Sequence, residues 1–371
     1  VSVGCDVLIV GRGAAGALAA LAARAAGASV QLVAAGGGAT ELASGAWDVG
    51  GSQRLGPTCE QPLSAHVAST PEGAASLVAL AWCGEPLGLA HRPEGPMPLL
   101  ATEAGRLRRA AAHDPALLDL SRLPRATVAV ASLAGHPSFD AGWIARRLDA
   151  QALAHGQDRR FAAVEIDFVR RGRDRWLHPG ELAALLDEDR SARAALARAI
   201  VRGLGGLSFD AVLVPPMLGL EAPLRAELED AAGLPVGEVV SGPGAVAGLR
   251  LVRRLARHLV KAGVAVHAAR VETVERAGGT VRVRTDAGEL RAERLVLATG
   301  GLLGGGAAAG GGRLLGLERV EVDERGRVRG LSGPLGEARI HACGEVVGLG
   351  AEAGLLAVAA SALRAGFSAA T

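Results

Sequence analysis

Clustered cysteine is missing from this 371-residue chain. Its four cysteines, Cys5, Cys59, Cys83 and Cys343, lie far apart without a C-x-x-C pair, which argues against an iron–sulfur or zinc site; no metal is expected. A charge excess is missing too. The formal net charge is only +2, which indicates neither nucleic acid nor an acidic partner. Lysine is almost absent, Lys261 being the single one among the 40 basic residues. No run is fit to span a membrane. The longest uncharged run, 295–312, contains eight glycines, and Arg24 interrupts the Ala-rich stretch after Gly16. No basic n-region or cleavage pattern precedes the first apolar run, so a signal peptide is not expected. Together these absences predict a cytoplasmic protein. Any peripheral contact with the inner face of the cell membrane would be made through a partner.

What is present begins at Cys5. The apolar run Cys5-Asp6-Val7-Leu8-Ile9-Val10 predicts a buried parallel strand and leads into Gly11-Arg12-Gly13-Ala14-Ala15-Gly16, a G-x-G-x-x-G fingerprint. An Ala-rich helix is predicted to about Ala26, with Gly27 ending it and 29–33 forming a second strand. Gly11 allows the tight turn, Gly13 lets the backbone approach a phosphate, and Gly16 lets helix and strand pack closely. The helix N-terminus offers free N–H groups and a positive dipole end to the anion. One expected residue is missing. NAD and FAD sites place Asp or Glu at the end of the second strand to hold the adenosine ribose. Here the strand ends in Ala34-Ala35, and Glu41 is the first acid after it. The unit is read as binding a phosphate with a weak grip on an adenosine ribose.

Residues 36–125 are rich in Gly, Pro and short polar stretches and show few clear elements. Regular structure resumes with a predicted strand at 126–131, a helix at 141–153 and a strand at 161–169. Pro179 marks the start of a helix containing 181–186, and a second helix covers 192–204. Pro215-Pro216 stops the strand 211–214. The helix 246–262 carries Leu251, Leu255 and Leu259 on one face, with Arg253, Arg254 and Arg257 beside them. A short strand at 264–267 follows, and then 271–274, 281–285 and 290–291 read as a β-meander. Ala298-Thr299-Gly300-Gly301 ends the next strand, Arg339 to Glu345 forms a late one, and a final helix covers 352–365. The expected class is α/β: a Rossmann-like FAD/NAD(P)-binding flavoprotein fold with a meander and an inserted α/β domain. Residues 1–50 and 245–371 are assigned to the flavin-binding domain, and 51–244 to an inserted substrate or partner domain. The strand 295–298 should join the sheet containing 7–10.

The N-terminal fingerprint, an A-T-G-G after a meander and a late strand ending in Gly344-Glu345 together resemble two-domain flavoproteins. Longer stretches narrow the resemblance. Ala43-Ser44-Gly45-Ala46-Trp47-Asp48 is similar to the S-S-G-S-x-D stretch of the FMN flavoprotein subunit of the anaerobic glycerol-3-phosphate dehydrogenase. Residues 128–140 are similar to that family's V-V-G-I-S-G-L-x-D-F region. Residues 213–220 resemble its L-M-P-A-x-F-G-L, and 243–251 its P-P-S-V-L-G-I-R-L. The resemblance implies a flavin-dependent dehydrogenase subunit with FMN, or alternatively FAD, as cofactor. It implies two partners, an FAD-bearing catalytic subunit and an iron–sulfur subunit that anchors the complex at the membrane. The complex would oxidise sn-glycerol 3-phosphate to dihydroxyacetone phosphate and pass electrons to quinone. By the same resemblance the cofactor lies against Gly11, Gly13, Gly16, Ser44, Gly45, Thr299, Gly300, Gly344 and Glu345. The chain departs from the family in its Gly/Ala run at 304–312 and its short glycine segment at 348–354.

No catalytic residue is assigned. Ser44-Gly45 and Asp48 touch flavin or substrate on one reading and merely close a loop on the other. Arg250 either binds a phosphate or carboxylate or occupies a solvated helix position. His341 is read as a core residue, His136 is not read as a base, and Arg106, Arg108 and Arg109 are read as a solvated basic surface. Two other readings stay open: an assembly subunit of flavoprotein fold that has lost its cofactor, and an independent flavin dehydrogenase of another small hydroxy acid or polyol.

Overall fold

The computed structural model describes residues 4–49, 51–68, 73–92, 94–134, 139–168, 177–221, 224–242, 246–301, 320–329, 339–347 and 354–371. The Gly/Ala run 304–312, most of the 348–354 segment, His136 and residues 243–245 lie outside them. The chain forms two units. Unit one comprises Val1–Thr40, Thr70–Cys83 and Val252–Thr371; unit two comprises Glu41–Ser69 and Gly84–Leu251.

Unit one is built on β1 (Cys5–Val10), α1 (Ala14–Ala25) and β2 (Val30–Ala34). Five strands run parallel in the spatial order Ala265–Ala268, β2, β1, Gly288–Leu297 and Arg339–Ala342. Numbered along the chain, that order is 3-2-1-4-5, the doubly wound arrangement of dinucleotide-binding sheets. Leu8 pairs with Leu295 and Val10 with Leu297, so the strand after the meander joins the first strand as expected. Strands of such a sheet are covered on both faces, which is why they read as continuous apolar runs.

The strand Gly288–Leu297 is single, where the sequence suggested two. Its first half pairs antiparallel with Thr280–Thr285, itself paired with Val271–Ala277, and its second half pairs parallel with β1. Burial changes along it accordingly. Arg291 and Glu293 reach solvent, whereas Leu295, Val296 and Leu297 are flanked on both sides and buried. Leu8, Val10, Val281, Val283, Leu295, Leu297 and Ile340 form one core.

On the other side, α1 packs on the last helix, Gly354–Ala370, through small residues. A Cβ on Gly366 would lie 2.4 Å from the Ala19 carbonyl oxygen, so the two backbones approach too closely for a side chain there. The helix Gly73–Cys83 also belongs to unit one, not to the insertion. It carries no charge, and its Trp82 ring meets Phe367 edge-on at 6.2 Å. Conversely, residues 41–49 and 246–251 fall in unit two, so the boundaries differ from those read off the sequence.

Unit two contains a second parallel sheet, in the order Val236–Glu238, Ala211–Val214, Thr127–Leu133 and Arg160–Ile166. Alternate residues of the central strands feed two cores. Ala129, Val212 and Val214 join Leu186, Leu196 and Ile200 on one face; Val128, Val130 and Leu213 join Ile144, Leu148 and Phe161 on the other. The helix starts follow local chemistry. Pro179 opens the helix Pro179–Glu188, and Glu181 accepts from the His178 N–H at 2.9 Å. Asp189 caps Arg190–Leu204 by accepting from the Ser191 and Ala192 N–H groups.

Candidate cofactor site

In an open parallel sheet, ligands bind outside the carboxyl ends of the strands where the strand order reverses. In unit one that point lies between β1 and Gly288–Leu297. Gly11 ends β1 with φ +111°, donates its N–H to the Val33 carbonyl at 2.9 Å, and would place a Cβ 2.1 Å from the Ala298 carbonyl oxygen. A Cβ on Gly16 would lie 1.8 Å from the Gly11 carbonyl oxygen, so helix and turn are in backbone contact. Gly13 is different. Among the described residues, the one neighbour of a Cβ there is Thr40 Oγ1, at 3.2 Å. The fingerprint glycines therefore divide: Gly11 and Gly16 are required by packing, and Gly13 borders open space.

Ala298 donates its N–H to the Val10 carbonyl at 2.8 Å, which carries Thr299 and Gly300 to the same strand ends. The Thr299 nitrogen would lie 3.3 Å from a Cβ on Gly11, and Gly300 has φ +78°. Gly344 also has φ +78°; its N–H donates to Ser361 Oγ at 2.9 Å, and a Cβ there would lie 2.7 Å from the Ala15 Cβ. Gly11, Gly13, Gly16, Thr299, Gly300 and Gly344 thus gather around the first turn of α1. The backbone of Glu345 follows Gly344 in the short turn Gly344–Val347.

Thr40 is the residue missed in the sequence. Its hydroxyl is buried and accepts from the Ala14 N–H at 2.7 Å, capping α1 from 26 residues away. The N–H groups of a first helical turn have no acceptor within the helix. Those of Ala15 and Gly16 have none among the described residues. Beyond the end of β2, Ala35 and Gly36 are exposed and offer no acid. An anionic phosphate fits these donors; an adenosine ribose finds no carboxylate at that strand end.

Ser44 and Gly45 belong to unit two. Gly45 has φ +85°, accepts from the Asp114 N–H at 2.8 Å, and would place a Cβ 2.7 Å from the Ala247 Cβ. Ser44 is half-buried. Asp48 accepts from Ser52 Oγ at 3.1 Å and pairs with Arg108, which is the loop-closing arrangement.

Two expectations for arginine are corrected. Arg250 is neither a solvated residue nor an anion receptor. It is buried between Asp114, 3.1 Å away, and Glu238, and it donates to the Gly219 carbonyl at 2.8 Å. Burial would lower its pKa, but the two carboxylates outweigh burial and hold it charged. Of the patch at 106–109, Arg106 is exposed as expected, but Arg109 is 3% exposed and Arg108 is tied to Asp48. His341 is a core residue as expected, with Nε2 3.2 Å from Ser368 Oγ. Cys343 is buried beside α1, and burial pushes its thiol up to about 12.

Among the described residues, no group of three or more His, Cys, Asp or Glu is placed to hold a metal, and no helix is long and apolar enough to cross a membrane. No protein-family model matches the chain, and no curated protein matches it. Solved structures with a similar course of chain include L-amino acid deaminase from Proteus myxofaciens, at 16% identity over 80% of this chain and 45% of that one, TM-score 0.30. Glycine oxidase from Geobacillus kaustophilus matches at 16% identity over 81% and 56%, TM-score 0.31. A flavocytochrome c3 fumarate reductase matches at 14% over 80% and 34%, TM-score 0.33. The chain spans about half the length of the first two. These likenesses assign no activity. The strand order and the glycine turn establish a Rossmann-like α/β fold for unit one on their own.

Proposed function

We propose that unit one holds a flavin by its phosphate and that the chain is one subunit of a flavin-dependent oxidoreductase. The observation that supports this most is the Gly11–Gly16 turn at the reversal of a 3-2-1-4-5 parallel sheet, with first-turn N–H groups left for an anion. Gly13 would let the phosphate approach, α1 would orient it, and Thr299, Gly300 and Gly344 would let backbone run beside the cofactor. Glu345 is assigned to the site by the family resemblance. A bound flavin supplies a hydride acceptor that can also release single electrons. This chain's residues would supply its position.

The finer reading follows the resemblance to the FMN flavoprotein subunit of anaerobic glycerol-3-phosphate dehydrogenase. It takes FMN as the flavin, in keeping with Ala34-Ala35, and sn-glycerol 3-phosphate as the substrate. An FAD subunit and an iron–sulfur subunit act as partners at the inner face of the membrane, with quinone as the final acceptor. Loss of the cofactor in favour of an assembly role is the rival that Ala34-Ala35 also favours.

Purified chain should carry a flavin spectrum, and the mass of the released chromophore separates FMN from FAD. Gly13→Leu should abolish flavin retention while leaving the circular dichroism spectrum unchanged. Full flavin occupancy in that variant would show the pocket to be misassigned. The single chain should reduce no quinone with glycerol 3-phosphate until the two partners are added.

A further inference from the structure

One buried donor in unit one has no acceptor among the described residues. The Thr40 hydroxyl accepts from the Ala14 N–H at 2.7 Å, and Thr40 is 8% exposed. A hydroxyl that accepts still has its own hydrogen to give. Among the described residues nothing takes that hydrogen. The loop 34–40 carries no acid, and the next residue, Glu41, is exposed. Burying a donor with its hydrogen bond unmade is costly, so the hydroxyl calls for an acceptor from outside these residues.

Measured approaches say where that acceptor lies. Ala14 is the first residue of the 12-residue helix α1, so Thr40 Oγ1 stands at the helix N-terminus. The same oxygen would lie 3.2 Å from a Cβ on Gly13, on the side of the turn that packing otherwise leaves open. The loop carrying Thr40 bends over this spot. A Cβ on Gly38 would lie 3.5 Å from the Gly13 Cα, and Gly38 has φ +71°, a conformation that glycine adopts without strain. The hydroxyl and the glycine that would admit a phosphate therefore border the same helix end. The N–H groups of the first turn also point out of that end.

A hydroxyl oxygen that accepts from an N–H becomes a stronger O–H donor. An anion at a helix N-terminus is a strong acceptor. We propose that Thr40 donates its hydroxyl hydrogen to a phosphate oxygen of the ligand bound at the N-terminus of α1, beside the N–H groups of Ala15 and Gly16. One oxygen then serves both helix and ligand: it takes the Ala14 N–H and gives its hydrogen to the phosphate. The inference rests on the flavin reading of unit one only for the source of that phosphate. The monoester of FMN, the pyrophosphate of FAD and the free anion share the chemistry.

Riboflavin is FMN without its phosphate, so the pair isolates the contact when titrated into flavin-free protein and followed by flavin fluorescence. Thr40→Val keeps the side chain's shape and puts a methyl where the hydroxyl stands. It should weaken whichever of FMN and FAD the chain binds about tenfold to a hundredfold, the worth of a hydrogen bond to a charged group. Riboflavin should change less than about twofold, and Thr40→Ser should stay within about threefold of wild type throughout. Inorganic phosphate, against sodium chloride of matched ionic strength, should raise the thermal midpoint of wild type and Thr40→Ser by more than that of Thr40→Val. Should Thr40→Val not fold, Thr40→Ala, in which water can cap α1, is held to the same expectations. Equal losses for FMN and riboflavin, as a purely capping role would give, or no loss for either, would overturn the proposal and leave the flavin reading standing. A Thr40-dependent response to phosphate in a chain that binds no flavin would do the reverse. No response to FMN, FAD or phosphate would overturn both.

Discussion

Acid should weaken unit one through His341. The ring is 1% exposed in the strand Arg339–Ala342, with Nε2 near Ser368 Oγ and Nδ1 without a partner among the described residues. Burial first, then Arg327, Arg294 and Arg339, lower its pKa from 6.5 to about 4, with Asp323 opposing. The folded protein thus keeps the ring neutral where the unfolded chain protonates it. Between those two values the unfolded state binds more protons, so stability rises with pH. The contribution is complete above about pH 6.5 and is lost as pH falls toward 4. At about 1.36 kcal/mol per pH unit, the interval corresponds to ~3 kcal/mol. Urea unfolding of wild type and His341→Gln, at about pH 7.5, 5.5 and 4, isolates the effect from other titrating groups. Glutamine keeps a polar group toward Ser368 but does not titrate. Wild type should lose ~3 kcal/mol more than the variant over that range. Parallel losses in the two proteins would refute the reasoning.

Thr40→Val should leave the Ala14 N–H buried without an acceptor and cost about 1–2 kcal/mol in urea unfolding, whereas Thr40→Ser should cost under about 0.5. Equal stability of Thr40→Val and wild type would mean that water caps α1 instead. Arg250→Met should strand the carboxylates of Asp114 and Glu238, whose side chains are 4% and 0% exposed, and cost about 3–5 kcal/mol in unit two. A cost below about 1 kcal/mol would place solvent around the cluster.

The order of unit one was legible because its signals are local. Strand, glycine turn and helix occupy consecutive residues, and the steric reasons for Gly11 and Gly16 lie within that spacing or on the returning strand at Ala298. Strands such as Ala211–Val214 were legible for the same reason: four apolar residues end at two prolines. The helix Gly73–Cys83 was not legible. Its apolar residues do not fall on one face, and its place in unit one depends on contacts with the last helix, nearly 300 residues away.

The charged residues show the same limit more sharply. An arginine in a sequence looks solvated by default, and this chain has so many that no single one stands out. Arg250 became a structural residue only when residues from three separate segments, Asp114, Gly219 and Glu238, closed around it. Arg109 sits close in sequence to the exposed Arg106, yet its partners are carbonyls 12 and 52 residues away. Thr40 is the same case in a neutral residue, capping a helix that begins 26 positions earlier. Spacing reveals a site when the chemistry needs neighbours along the chain, as a phosphate turn does. Buried charge and capping at a distance are set by the closing of the fold, so they appear only with the fold in hand.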